Sequence, residues 1–158
     1  MMDDLMRLLA YRAWARERVL GAAQGMPSED LTKPVVSSFG SVRDTLVHVL
    51  SADVTWTSRL GGVSPSGHLR PEDYPDVPAL RTRWEQVDRD LGSQVAGSDP
   101  GRMVIYRTTA GVEHRQPVWQ IVQHLINHQT YHFGQISTLL RQLGASPAAT
   151  DLIVFDRK

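Results

Sequence analysis

The fold of this chain is indicated most clearly by residues 117–143, which read PVWQIVQHLINHQTYHFGQISTLLRQL. Apolar residues recur there every three or four positions, which is the spacing of one face of an amphipathic helix. Pro117 favours the first turn of a helix, and Gly144 directly after the stretch favours its end. A helix over these residues would be about 40 Å long. The stretch therefore predicts a long helix with one face packed against partner helices.

Three earlier stretches show the same helical spacing of apolar residues. We predict a first helix over about 3–23, a second over about 41–60 and a third from Pro78 to about Ala96. Ser41 followed by Asp44 resembles a capping box with Asp in place of Glu. Together with 117–143, these stretches predict an all-α fold, a four-helix bundle with at least one crossover connection.

The segments between the predicted helices, and the tail, also show recognisable sequence patterns. Residues 61–78 are rich in Pro and Gly and predict a long loop between the second and third helices, which we expect to cover an end of the bundle. Residues 103–106 and 112–116, separated by Ala110-Gly111, allow a short β-hairpin before the last helix. The tail at 151–155 is apolar, so we expect it to pack back on the bundle.

Length and charge limit the class of protein. A chain of 158 residues fits one domain, which we place over 1–158. Its 17 basic and 17 acidic residues balance, which argues against a protein that binds nucleic acid or a membrane surface through excess positive charge. The chain has neither a run of about 20 apolar residues nor the pattern of a signal peptide. We therefore expect a cytoplasmic protein.

The chain contains no cysteine and six histidines. The absence of cysteine excludes a disulfide framework, a Cys-ligated metal site and a catalytic thiol. His124, His128 and His132 are spaced four residues apart, so successive imidazoles are offset by only about 40° around the helix. Two histidines on adjacent turns can bind one metal ion. A single helix cannot easily bring all three to one ion, because His124 and His132 would lie about 12 Å apart along the axis.

A third ligand must therefore come from another helix. His48 is the best candidate, because it lies near the apolar stripe of the second helix, where an unpaired polar group is costly. His68 lies in the long loop and His114 in the predicted hairpin, and both are weaker candidates. The alternative is that these histidines are ordinary hydrogen-bonded or surface residues without a metal.

Five further residues are candidates for a supporting role near this site. Asp53 is offset from His48 by about 140° around the helix, which makes it a poor candidate. Asp44 lies one turn before His48 and is better placed, although we assign it first to the helix cap. The remaining three are Trp56, Asn127 and Tyr131.

Three stretches of the chain resemble the DinB/YfiT-like family. The stretch SFGSVRDTLVH at 38–48 resembles the family's entry into its second helix, and HLINHQTYHFGQI at 124–136, followed by LLRQLG at 139–144, resembles its fourth. Asp151, after Pro147, occupies the usual position in the tail. The resemblance covers nearly the whole chain in order and spacing, and the motif of the fourth helix is quite specific.

The resemblance implies a four-helix bundle of up-down-down-up order with a divalent metal ion, typically nickel or zinc. Carried over position by position, the metal ligands are His48, His128 and His132. His124 matches a frequent family histidine that is not a ligand. Phe133 departs from the family pattern, which often has Arg in a His-Arg-Gly-Gln motif. This departure bears on the substrate more than on the metal. Members are often dimeric, so we expect a homodimer.

Three functions follow as hypotheses. Three histidine ligands leave coordination positions open, which is typical of catalytic rather than structural metal sites. Related families include bacillithiol- and mycothiol-dependent transferases and a mycothiol-dependent isomerase. We therefore expect a transferase that joins a low-molecular-weight thiol to an electrophilic small molecule. The alternatives are a metal-dependent hydrolase and a non-catalytic stress-response protein that binds a metal or ligand.

Overall fold

A computed structural model describes residues 1–157. Its α-helices and strands, in chain order, are α1 (Met2–Gln24), α2 (Ser28–Leu31), α3 (Val42–Leu60), α4 (Val77–Ala96), β1 (Met103–Arg107), β2 (Glu113–Pro117), α5 (Val118–Gln142) and α6 (Leu152–Asp156). A short 3-10 helix, Pro71–Asp73, lies between α3 and α4. The four predicted helices are α1, α3, α4 and α5, and each begins and ends within about two residues of its predicted limits. The short helices α2 and α6 were not predicted.

The four long helices form a bundle of up-down-down-up order. In α1, Arg12 pairs with Asp88 and Glu17 pairs with Arg81, so α1 and α4 are antiparallel. Between α3 and α5, His48 meets His132 and Trp56 meets His124, so these helices are antiparallel as well.

Helices α3 and α4 run parallel to each other, since Trp84 bonds Asp53 and Gln94 lies beside Gly61. The chain must therefore return along the bundle between them. The backbone N–H of Leu69 donates to Ser51 Oγ in the middle of α3, at 3.0 Å. The prediction that this loop covers an end of the bundle is thus wrong: the loop runs along the side of α3, because parallel neighbours need a long crossover.

Side-chain hydrogen bonds begin two of the helices, and a glycine follows the end of a third. Ser41 Oγ accepts from the N–H of Asp44 at 3.0 Å and caps α3. The reciprocal half of the predicted capping box is missing, because the Asp44 carboxylate accepts from Arg43 Nε instead, at 2.9 Å. Asp76 caps α4 through the N–H of Ala79. Gly144 follows α5 with φ of 80°, a left-handed conformation in which glycine is unstrained.

The predicted hairpin and tail are both confirmed. Strands β1 and β2 pair antiparallel, with Ile105 opposite Arg115, around a turn in which Gly111 has φ of 81°. In the tail, Phe155 packs its ring against Tyr11 and Trp14 of α1.

Buried apolar residues form two clusters, the larger contributed by all four long helices and the smaller near the hairpin. A charged network crosses the interior between α1, α3 and α4. Arg12 pairs there with Asp53 and Asp88, and Trp84 Nε1 donates to Asp53 at 2.7 Å. Within residues 1–157, no helix is long and apolar enough to cross a membrane.

Candidate metal centre

Three histidine side chains from two helices converge in the bundle. His128 and His132 lie on adjacent turns of α5, and His48 reaches them from the antiparallel α3. Nε2 of His48 is 3.2 Å from Nε2 of His132 and 3.2 Å from Nε2 of His128. One nitrogen from each of the three lies within 4.8 Å of the others.

These separations fit ligands of one small divalent ion. Zinc–nitrogen bonds of about 2.0–2.1 Å in a tetrahedral arrangement place two nitrogens roughly 3.3 Å apart. The two Nε2–Nε2 separations of 3.2 Å match that value closely. The donor set consists of imidazoles alone, which suits zinc or nickel better than calcium or magnesium. The three side chains could therefore hold such an ion with little rearrangement.

A hydrogen bond orients one of the three rings. Nδ1 of His132 lies 2.7 Å from Oε1 of Gln135, one turn further along α5. Because an amide oxygen only accepts, we assign the ring proton to Nδ1. Nε2 of His132 then presents a lone pair to the other two histidines. Partners of this kind hold metal-binding histidines in the correct tautomer and orientation.

Burial keeps the other two rings neutral. It lowers the pKa of His48 to about 4, and the neighbouring His132 and His68 add to the effect. Burial likewise lowers the pKa of His128 to about 4, with further contributions from His132, His48 and His124. Both rings are therefore unprotonated at neutral pH, which is the form that binds metal.

Two cavities flank His48. A cavity of about 340 Å³ lies on the side of Phe39 and Asp44, and a smaller one of about 170 Å³ lies on the side of Arg59. His48 and His68 line both. The Phe39 ring stacks on His48 with centroids 4.1 Å apart and planes 20° apart. His48 is thus the member of the cluster that borders both cavities, and an aromatic ring covers one of its faces.

The other histidines lie outside the cluster. His124 is exposed and packs against Trp56, with ring centroids 5.0 Å apart. His114 is exposed on β2. His68 is exposed in the crossover loop, yet it lines both cavities beside His48, a position that no pattern in the sequence indicates.

The suggested supporting residues have varied positions. Asp53 is fully buried in the charged network with Arg12 and Trp84, in agreement with its low ranking. Tyr131 is exposed, and the edge of its ring meets His132. Asn127 is exposed on α5. Phe133, which replaces the frequent family Arg, is 2% exposed and belongs to the larger apolar cluster.

Two contributors to the site were missed in the sequence. Gln135 could have been found by helical spacing alone, since a residue three positions after His132 lies on the same face. Phe39 lies outside any helix, in the segment before Ser41. Its stacking on His48 depends on how that segment folds over the end of α3, and no periodicity in the sequence indicates it.

The comparisons with known proteins agree with this architecture. The bundle order and the histidine cluster define a helical protein with a candidate metal centre. The DinB family model matches residues 1–158, and the chain belongs to the DinB family.

Relatives and a solved structure are similar over nearly the whole chain. The chain is 27% identical to Protein DinB of Bacillus subtilis (strain 168), over 96% of this chain and 92% of that protein. It is 21% identical to the uncharacterized protein YizA of the same organism, over 94% of each chain. A crystal structure of a DinB-like protein from Bacillus cereus ATCC 10987 matches with a TM-score of 0.67 and 17% identity, over 90% of this chain and 94% of the other. That structure supports the fold.

Proposed function

We propose that His48, His128 and His132 hold one divalent metal ion, nickel or zinc, and that the site is catalytic. The observation that carries the proposal is the convergence of three imidazole nitrogens beside two cavities. Structural zinc sites are normally closed by four protein ligands, whereas a site with three keeps a position open. Resemblance to a family would not by itself distinguish a structural metal site from a catalytic one.

The reaction we propose is transfer of a low-molecular-weight thiol to an electrophilic small molecule. A divalent ion with an open position supplies a Lewis acid that lowers the pKa of a bound thiol or water. The sulfur forms a bond to the electrophilic carbon, the leaving group departs with its electron pair, and the thiol proton passes to solvent. Since the chain has no cysteine, the thiol must come from outside.

The chain's own residues contribute orientation of the ligands and space for the substrates. Gln135 orients His132, and the stacked Phe39 ring limits movement of His48. The two cavities provide separate spaces on either side of His48, which suits a reaction with two small substrates. We assign the thiol and the electrophile to these two spaces.

A metal-dependent hydrolase is the second candidate, and Asp44 favours it. Its side chain lines the larger cavity together with His48, where a carboxylate could act as a general base toward water. Its hydrogen bond with Arg43 Nε weighs against that role, because one carboxylate oxygen is already occupied by that donor.

The test is thiol consumption by protein reconstituted with Ni²⁺ or Zn²⁺. With 2-mercaptoethanol and 1-chloro-2,4-dinitrobenzene, we expect loss of thiol and release of chloride in equal amounts, above the uncatalysed rate. His128→Ala, treated identically, should return the rate to background. Hydrolysis of p-nitrophenyl acetate without thiol would favour the hydrolase instead. Stoichiometric metal binding with neither activity would support the third hypothesis, a non-catalytic protein that binds a metal.

A homodimer and a cytoplasmic location remain predictions. The first is checked by sedimentation equilibrium of the metal-loaded protein.

A further inference from the structure

One arginine near the site is buried and has no anionic partner among residues 1–157. Arg59, close to the end of α3, is only 7% exposed. Its guanidinium lies between two aromatic rings, 4.5 Å from the centroid of Trp56 and 4.8 Å from that of Tyr106. Its Nη2 donates to the backbone carbonyl of Arg107 at 3.1 Å. These contacts hold the guanidinium in place without neutralising it.

The other buried arginines are neutralised. Arg12 pairs with Asp53 and Asp88, and Arg16 pairs with Asp88. Within residues 1–157, no carboxylate lies within 4 Å of the Arg59 guanidinium, and its buried Nε has no hydrogen-bond partner. A buried charge is costly unless it is paired and hydrogen-bonded. A fixed, unpaired cation beside a cavity is therefore suited to bind an anion from outside.

The cavity beside Arg59 is the smaller of the two that border His48. It has a volume of about 170 Å³ and is lined by both His48 and Arg59. Thr55 and Thr109 also line it, and neither hydroxyl has a hydrogen-bond partner within residues 1–157. The cavity thus combines one guanidinium with two free hydroxyl donors, which together suit a carboxylate.

Helix geometry sets the length of a ligand that could reach both ends of this cavity. His48 and Arg59 are eleven positions apart on α3, so they share a face with an offset of about 20° and a rise of roughly 16 Å. Both side chains lean toward the N-terminus of the helix, and the longer arginine reaches further in that direction, so the guanidinium and the imidazole are closer together than this rise. A linear ligand with about six to eight bonds between its two binding groups therefore has a suitable length to contact both residues.

We propose that Arg59 binds the carboxylate of an elongated anionic substrate whose other end meets the histidine cluster. This inference rests on the proposed function, because it assigns the thiol substrate to the Arg59 cavity. It names the substrate class as thiols that carry a carboxylate several bonds from the sulfur. Thr55 and Thr109 add hydrogen bonds to the same carboxylate.

The first experiment compares two thiols of equal length, 6-mercaptohexanoate and 6-mercaptohexanol, in competition binding to Ni²⁺-loaded protein. We expect the carboxylate to bind at least about tenfold more tightly, as hydrogen bonds to a charged group predict. Arg59→Met should abolish this preference and leave binding of the alcohol unchanged. Arg115→Met, which removes a charge from an exposed position on β2, should retain it.

Two further variants guard against misfolding. Arg59→Lys keeps the charge and should retain part of the preference, and Thr109→Ala, at an exposed position, should reduce it. Equal affinity of the two thiols in the wild type would overturn the inference. A preference that survives in correctly folded Arg59→Met would do the same.

A thiol-free measurement separates this inference from the proposed function. Hexanoate and hexanol are titrated into metal-free protein while the Arg59 Nε–H signal is followed by NMR. Hexanoate should shift that signal saturably and hexanol should not. A shift with hexanoate, combined with no thiol transfer in the activity assay, would retain the anion site and reject the transferase. No shift, combined with active transfer of 2-mercaptoethanol, would reject the anion site alone.

Discussion

Nε2 of His48 lies 3.2 Å from Nε2 of His132, although the two residues are 84 positions apart in the chain. The contact exists because α3 and α5 are antiparallel neighbours and their buried faces meet at this level. His132 presents a lone pair there, since its proton is assigned to the nitrogen facing Gln135. With His128 equally close to His48, three nitrogens surround one point. A single divalent cation at that point could be bound by all three nitrogens.

Loss of any of the three ligands should remove the metal. In His48→Ala, His128→Ala and His132→Ala, we expect metal content to fall from one ion per chain to well below it, because two imidazoles do not complete the site. Mass spectrometry of the dialysed proteins measures this. His114→Ala is the matched control, because His114 is exposed on β2. A full complement of metal in His48→Ala would contradict the three-histidine site.

Gln135→Leu should weaken metal binding without removing a ligand. The substitution deletes the acceptor for His132 Nδ1, and partners of this kind typically contribute about 10–100-fold in metal affinity. Competition with a chromophoric chelator measures the change. Gln123→Leu, at an exposed position on the same helix, should bind metal as the wild type does. Equal affinity of the two variants would show that Gln135 does not position the ring.

The stability of the metal-free protein should fall on acidification. His48 and His128 have a pKa of about 4 when folded, against about 6.5 in an unfolded chain. Between these values the unfolded state binds more protons, so the free energy of unfolding decreases as pH falls from about 6.5 toward 4. Urea denaturation at pH 7, 6 and 5 tests this.

The matched variant for the acid effect is His48→Asn combined with His128→Asn. It lacks both titrating rings, so its stability should depend less on pH across the same range. A loss of stability equal to that of the wild type would assign the effect to other groups.

Breaking the interior charged network should be strongly destabilising. Arg12→Met leaves the buried Asp53 without its cation, and removal of one partner from a buried pair typically costs about 3–5 kcal/mol. Urea denaturation at pH 7 measures the free energy of unfolding. Adding Asp53→Leu to Arg12→Met should recover part of the loss, because no unpaired charge then remains at that position. Arg89→Met, at an exposed position, should change stability by no more than about 0.5 kcal/mol. A loss that small in Arg12→Met would mean that the pair contributes nothing.

Much of the architecture could be predicted from local pattern. The apolar spacing of 117–143, with Pro117 before it and Gly144 after it, predicts α5 almost to the residue, and the hairpin and packed tail were also indicated. The course of the crossover loop was not, because it depends on α3 and α4 being parallel. The partner of the Asp44 side chain could not be predicted from spacing either. Its distance from Ser41 in the sequence is that of a capping box, but its carboxylate accepts a hydrogen bond from Arg43.

The sequence by itself determined which side chains are available and which of them share a helical face. Spacing of four residues places His128 beside His132, and the absence of cysteine restricts the ligands to imidazoles and carboxylates. Only the tertiary structure decided that His48 meets that pair, that Phe39 stacks on it, and that His68 and Arg59 line the neighbouring cavities. The physical reason is that helical periodicity describes one element at a time. Contacts between elements depend on the order and direction in which their buried faces pack.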